Sequence, residues 1–239
     1  MLIVTFVLCQ ILRRLVRPFL KGDGRLIFGE FMAIFQLSCC IQELNFTDHQ
    51  FSLPIRMLRL FSVILATCYF FDGCTGHVGW ISEIVILDGR FFFYLLLLIA
   101  QLCGGYAAYL FTPYYFPHHY FQHFYQDHPC QSLDPIQRAW IEFIGTSLLF
   151  LLDWCTRRYE DFNRVSQTLY VVAITYLYYG HIDVFINPIM AKTMTAHCNT
   201  EDLNLHLLIY WIGPIISIVL PLIVIRFMSR RTEVKVKED

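Results

Sequence analysis

The stretch GHIDVFINPIMAKTM, Gly180–Met194, decides how the rest of the chain is read. Its Asn187-Pro188 pair follows an apolar, tyrosine-rich run and precedes a segment able to start a helix. Asn is a strong N-cap, and Pro at the first helical position forfeits no useful donor. In a soluble chain the pair would be an ordinary loop turn. Here it stands at the end of what looks like a membrane crossing, where the first backbone N–H groups of a helix meet no outside water and need partners from the protein itself.

The surroundings justify that reading. Of the 239 residues 56% are hydrophobic and only 15% charged, against about 25% charged in an ordinary soluble domain. The mean hydropathy is +0.51. FFFYLLLLIAQLCGGYAAYLF, Phe91–Phe111, runs 21 residues without a charge, enough for a helix to cross a hydrocarbon layer of about 30 Å. The chain is therefore expected to cross a membrane several times. The net charge of −1 says nothing about partners; the bilayer is the partner that the composition requires, and no nucleic acid, metal or cofactor is expected. Nine cysteines lie mostly within apolar runs and form no metal-ligand spacing. Cys130 and Cys198 fall in predicted loops as disulfide candidates that the sequence alone does not pair.

Six longer apolar runs are predicted to span: Leu26–Leu44, Ile55–Phe71, Phe91–Phe111, Ile136–Leu152, Val165–Tyr179 and Leu205–Phe227. Two segments too short to cross, His77–Leu87 and Asn187–His197, begin at turn-like sequences and are read as half-helices. The N-terminal MLIVTFVLCQILRRLVRPFLK puts its apolar run before its basic cluster, which fits an interfacial or short anchoring helix better than a cleavable signal. This gives an N-terminal segment at 1–23, a transmembrane domain at 24–228 with halves near 24–112 and 135–228, and a tail at 229–239.

Basic residues orient the spans. Thirteen of the 18 Lys and Arg lie in the N-terminal segment, the fourth-to-fifth loop and the tail, whereas Thr112–Asp134 contains none. By the positive-inside rule both termini are cytoplasmic. The NFT sequon at Asn45 then lies in an outer loop, on the side where glycosylation is permitted. The histidine-rich 118–128 segment is read as a loop over the outer mouth, without a closed metal-ligand pattern. KVKED at the C-terminus fits a retrieval signal for the endoplasmic reticulum.

The two halves follow one plan. GEFMAIFQL places Glu30 in the first run and WIEFIGTSLLFLL places Glu142 in the fourth. A carboxylate inside a membrane span is a functional-site hypothesis by default. His77 lies 47 residues after Glu30, and Asn187 lies 45 after Glu142. Gly104 follows His77 by 27, and Gly213 follows Asn187 by 26. Three crossings and a half-helix, repeated, give halves of opposite orientation, a pattern that points to a transport path at the midplane.

At these residues the chain resembles the aquaporins, or major intrinsic proteins, and within them the unorthodox super-aquaporins of the eleven-and-twelve type. FQLSCCIQEL (Phe35–Leu44), AQLCGG (Ala100–Gly105), INPIMAKTM and IYWIGP (Ile209–Pro214) carry the likeness, which extends over nearly the whole chain. The resemblance implies an all-α fold with an inverted repeat, six transmembrane helices and two half-helices, assembled as a homotetramer. It implies that Glu30 and Glu142 brace the half-helix loops, and that Cys198, 11 positions after Asn187, is the subfamily cysteine. The filter residues implied are Asn187, Pro188, Ile189 and Met190, with His77, Val78 and Gly79 opposite.

Two departures bear on selectivity. The family carries Asn-Pro-Ala twice, whereas here the second copy is Asn187-Pro188-Ile189 and the first is replaced by His77-Val78-Gly79. Met190 stands where water-selective members usually have an arginine. Losing a guanidinium removes a barrier to cations and leaves a softer lining. The expected function is thus a passive channel for water or small neutral solutes such as glycerol and hydrogen peroxide, in an intracellular membrane by the subfamily's habit or in the plasma membrane. The alternative is a non-conducting scaffold or organelle-homeostasis protein, favoured by the replaced motif. No nucleophile–base pattern suggests an enzyme.

Overall fold

The computed structural model describes residues 2–47, 50–71, 73–115, 134–180, 184–195 and 203–223. Among them every regular element is helical. In chain order these are α1 (Leu2–Val16), α2 (Asp23–Thr47), α3 (Leu53–Phe70), α4 (Val78–Asp88), α5 (Phe91–Tyr115), α6 (Pro135–Thr156), α7 (Glu160–Tyr178), α8 (Pro188–Thr195) and α9 (Leu203–Ile223). The last contains a π-helical turn at Leu208–Ile212.

Local chemistry starts and stops these helices. Pro135 opens α6, and the Asp134 carboxylate caps it by accepting from the Ile136 N–H at 3.0 Å. Glu160 and Asp161 occupy the first turn of α7, where negative charge complements the helix dipole. Glycines with φ of +85° and +59°, Gly73 and Gly76, shape the turn that leads into α4.

Among the described residues five helices are long and apolar enough to cross a membrane: α2, α3, α5 within Phe91–Thr112, α6 and α9. Their outward faces keep Leu58, Leu95, Ile99, Ile144, Leu148, Leu151, Ile216 and Leu220 exposed, a surface suited to lipid rather than water. The chain is a multi-pass, all-helical membrane protein. The sixth expected span, Val165–Tyr179, falls in α7, which has the length at 19 residues but is not among the five apolar ones. Its first half instead carries Glu160, Asp161, Asn163, Arg164 and Gln167.

The helices pack around two short ones. α2 lies along α5, and they come closest at Gly104, where any Cβ would collide with the Phe31 carbonyl oxygen. α6 packs on α7 and α9, and α3 on α7. α8 is enclosed by α2, α5 and α9, whereas α4 lies against α5.

The N-terminal helix packs one narrow face on the others. α1 turns Thr5, Cys9 and Arg13 inward against α2 and the end of α3, and leaves Ile3, Val7, Ile11 and Leu15 exposed. Arg13 donates from Nη1 to the Phe70 carbonyl at 2.6 Å, satisfying one of the carbonyls left open where α3 ends. Its guanidinium also lies 5.7 Å from the Phe71 ring centroid.

Candidate functional site

The site grows from the two short helices, which meet N-terminus to N-terminus. Each begins with a side chain that closes a ring on its own backbone. Asn187 Oδ1 accepts from the Ile189 N–H at 3.1 Å, the expected N-cap bond two residues ahead. His77 Nδ1 accepts from the Gly79 N–H at 3.0 Å, the same bond at the same offset.

Both capping side chains then reach across. Asn187 Nδ2 donates to the Gly76 carbonyl at 2.7 Å, and His77 Nε2 bonds the Ile186 carbonyl at 3.1 Å. Gly76 immediately precedes His77, and Ile186 immediately precedes Asn187, so each helix caps itself and grips the residue before the other's cap. Because Nδ1 accepts, the ring proton sits on Nε2, and His77 is the neutral Nε2–H tautomer. Imidazole thereby performs both hydrogen-bonding roles of a carboxamide.

The two carboxylates complete the pattern. Glu142 accepts the Phe185 N–H at 2.8 Å on Oε1 and the Ile186 N–H at 2.7 Å on Oε2. Glu30 accepts the Thr75 N–H at 2.7 Å and the Gly76 N–H at 2.9 Å, again one on each oxygen, with Gln101 Nε2 adding a third donor at 2.7 Å. Glu30 is 2% and Glu142 1% exposed, so these bonds are what make their burial tolerable. Each carboxylate thus bridges two successive backbone N–H groups of the segment that leads into a short helix.

Holding both loops this way imposes one backbone conformation on each. Gly76 and Ile186 share φ = +59°. For glycine this conformation carries no steric penalty, whereas for β-branched isoleucine it is a strained one. The strain at Ile186 is held by two Glu142 bonds on one side of the residue and by the Leu149–Ile174–Ile186 packing cluster on the other.

Val78, one residue after the first cap, and Ile189, two residues after the second, are both buried and form one cluster with Ile34 of α2. Pro188 and Gly79 lie in the first turns, and Gly79 is so close to Ile218 of α9 that a Cβ would overlap it. Gly104 and Gly213 also serve parallel contacts: Gly104 faces Phe31, next to Glu30, and Gly213 faces Phe143, next to Glu142. Met190 turns toward α2, where its sulfur accepts from Ser38 Oγ at 3.2 Å.

Several partners carried too little sequence signal to be singled out. Gln101 was visible only as one polar residue in AQLCGG, and Ser38 only as one in FQLSCC. Trp80 also belongs here: its Nε1 donates to Asp153 Oδ2 at 3.1 Å and its ring meets the His77 ring edge-on, centroids 4.4 Å apart. Asn45, expected in a loop, lies near the end of α2, its amide directed to Met194 Sδ. Cys198, Cys130, the 118–128 segment and the KVKED tail lie outside the described residues. Among the described residues no three His, Cys, Asp or Glu side chains cluster as a metal ion would require.

The fold and this site define a multi-pass helical membrane protein with two short helices that face each other, each self-capped and bonded to the residue before the other's cap. No family model matches the chain, and no curated protein matches it.

Proposed function

We propose that the chain is a passive channel for water or small neutral solutes, glycerol and hydrogen peroxide among them, built as an aquaporin-like inverted repeat. Six crossings, with α7 as the sixth, and two half-helices make up the repeat, and both termini are cytoplasmic. The observation that carries the reading is the facing of α4 and α8, self-capped by His77 and Asn187 and cross-bonded through the same two side chains. Two helix N-termini facing each other inside a membrane oppose cations and offer donors to a small polar permeant. Nothing in that arrangement needs to move or react, which suits passive permeation. By family resemblance the channel is a homotetramer, and an intracellular membrane such as the endoplasmic reticulum is its favoured location.

One observation favours the second reading, a non-conducting scaffold. A neutral imidazole has a single N–H, and at His77 the Ile186 carbonyl takes it. Only Asn187, with two amide hydrogens, retains a donor beyond its structural bond.

Stopped-flow light scattering on proteoliposomes separates the two readings, with water and glycerol gradients and a peroxide-sensitive dye in a parallel batch. The channel reading expects rates above those of protein-free liposomes for at least one permeant. Rates equal to lipid alone for all three would leave the scaffold. Met190→Arg, which restores a guanidinium beside Asn187, is expected to lower glycerol permeation relative to water.

A further inference from the structure

The two halves carry a correspondence one step beyond the caps. Three residues after Asn187 stands Met190, and three after His77 stands Trp80. Met190 is held by Ser38, eight residues beyond Glu30, while Trp80 packs on Phe150, eight residues beyond Glu142, with ring centroids 6.3 Å apart. Trp80 therefore occupies, in its own half, the place that Met190 occupies in the other.

Its surroundings make it more than a packing residue. The half-buried indole touches the Leu149–Ile174–Ile186 cluster on one side and the Phe150–Ile218–Leu222 cluster on the other, so it bridges α4 to α6, α7 and α9 beside the His77 ring. Its single N–H is anchored. Asp153 Oδ2 accepts it while also accepting from Arg157 at 2.7 Å, and Oδ1 accepts from Asn163 at 2.9 Å and Gln167 at 2.8 Å. Arg157 in turn binds Glu83 of α4 at 2.7 Å. A carboxylate with four donors does not swing, so the indole it holds is fixed in direction as well as in place.

We propose that Trp80 is a specificity-determining residue: held in register by Asp153, its indole narrows the permeation path on the α4 side of the caps as Met190 does on the α8 side. This rests on the channel reading. Asp153 is then a positioning residue, acting only through Trp80. The pair selects by size, because a fixed aromatic edge admits water and excludes solutes with carbon chains more strongly than a thioether does.

The test compares wild type, Trp80→Ala, Trp80→Phe and Asp153→Asn in proteoliposomes, with water, urea and glycerol as permeants. Each protein is checked for a monodisperse elution profile. Trp80→Ala is expected to raise the glycerol-to-water permeability ratio several-fold, and Asp153→Asn to raise it less. For the positioning role the readout is the indole N–H resonance of Trp80, assigned among the four tryptophans by its loss in Trp80→Phe. It is expected to move upfield in Asp153→Asn. A conducting wild type whose ratio is unchanged in Trp80→Ala overturns this proposal and leaves the channel reading standing. A wild type as tight as lipid, with Trp80→Ala equally tight, overturns both. A tight wild type that Trp80→Ala opens supports the proposal in its strongest form, with the indole closing the path. An indole resonance that stays in place in Asp153→Asn removes Asp153 from it.

Discussion

His77→Ala is the perturbation that probes the site most directly, because it removes three contacts at once. The first is the cap on α4: Gly79 loses the Nδ1 acceptor at 3.0 Å, a loss that costs about 1 kcal/mol at a typical helix start. The second is the Nε2 bond to the Ile186 carbonyl, a further ~1 kcal/mol. That carbonyl is not left bare, because Thr146 Oγ1 also reaches it at 3.4 Å, which keeps the cost near that figure rather than at the full desolvation penalty. The third is the edge contact with Trp80, about 0.5–1.5 kcal/mol. Neighbouring terms do not add in full, so the expected loss is roughly 2–3 kcal/mol. His77→Asn is the discriminating partner. Its amide oxygen restores the cap and its nitrogen can bond toward Ile186, while the ring contact is absent, so it should recover about half of the loss. The assay is equilibrium unfolding in mixed micelles with increasing denaturing detergent, followed by far-ultraviolet circular dichroism. Equal stability of His77→Ala and wild type would refute the capping geometry. Asn performing no better than Ala would refute the claim that imidazole stands in for a carboxamide.

Three further outcomes follow from the same contacts and are read by the same titration. Glu142→Gln leaves one of two buried N–H groups facing an amide NH₂, and should cost about 1–3 kcal/mol, whereas Glu160→Gln at a surface pair with Arg164 should cost almost nothing. Gly76→Ala meets a φ of +59° and would place its Cβ 2.9 Å from the Phe71 ring; a loss of about 1–2 kcal/mol is expected, and a neutral result would contradict the left-handed turn. Arg13→Met keeps most of the side chain's length but leaves the Phe70 carbonyl at the end of α3 to the Gln10 amide at 3.3 Å, so unfolding should occur earlier by about 1 kcal/mol, and protease accessibility of the Gly73–His77 loop should rise before that of α6.

Much of this protein is written locally in its chain. Charge-free runs such as Phe91–Phe111 declare a helix in lipid, because the backbone must bond to itself wherever water is absent. Asn187-Pro188 declares a helix start, because capping chemistry acts over two or three residues. Glu30 and Glu142 stood out since a carboxylate in an apolar run demands a partner. Their recurrence at matched spacing relative to His77 and Asn187 was visible by counting. What each carboxylate binds was not, because the backbone N–H groups that both share lie 43 to 46 residues away and have no signature in sequence.

The tertiary structure decided the rest. From the sequence His77 was a departure from a motif; that its ring both caps α4 and reaches across emerged only when Ile186, 109 residues later, came to accept a hydrogen bond from Nε2–H. Trp80 looked like one more aromatic until α6 brought Asp153 to its indole. Arg13 was one basic residue of a cluster until packing of α1 brought its guanidinium to the open Phe70 carbonyl at the end of α3. Periodicity and capping determine where helices form, since those forces act between neighbours in the chain. Which polar side chain satisfies which buried group depends on distances between helices, and those exist only after the helices have packed.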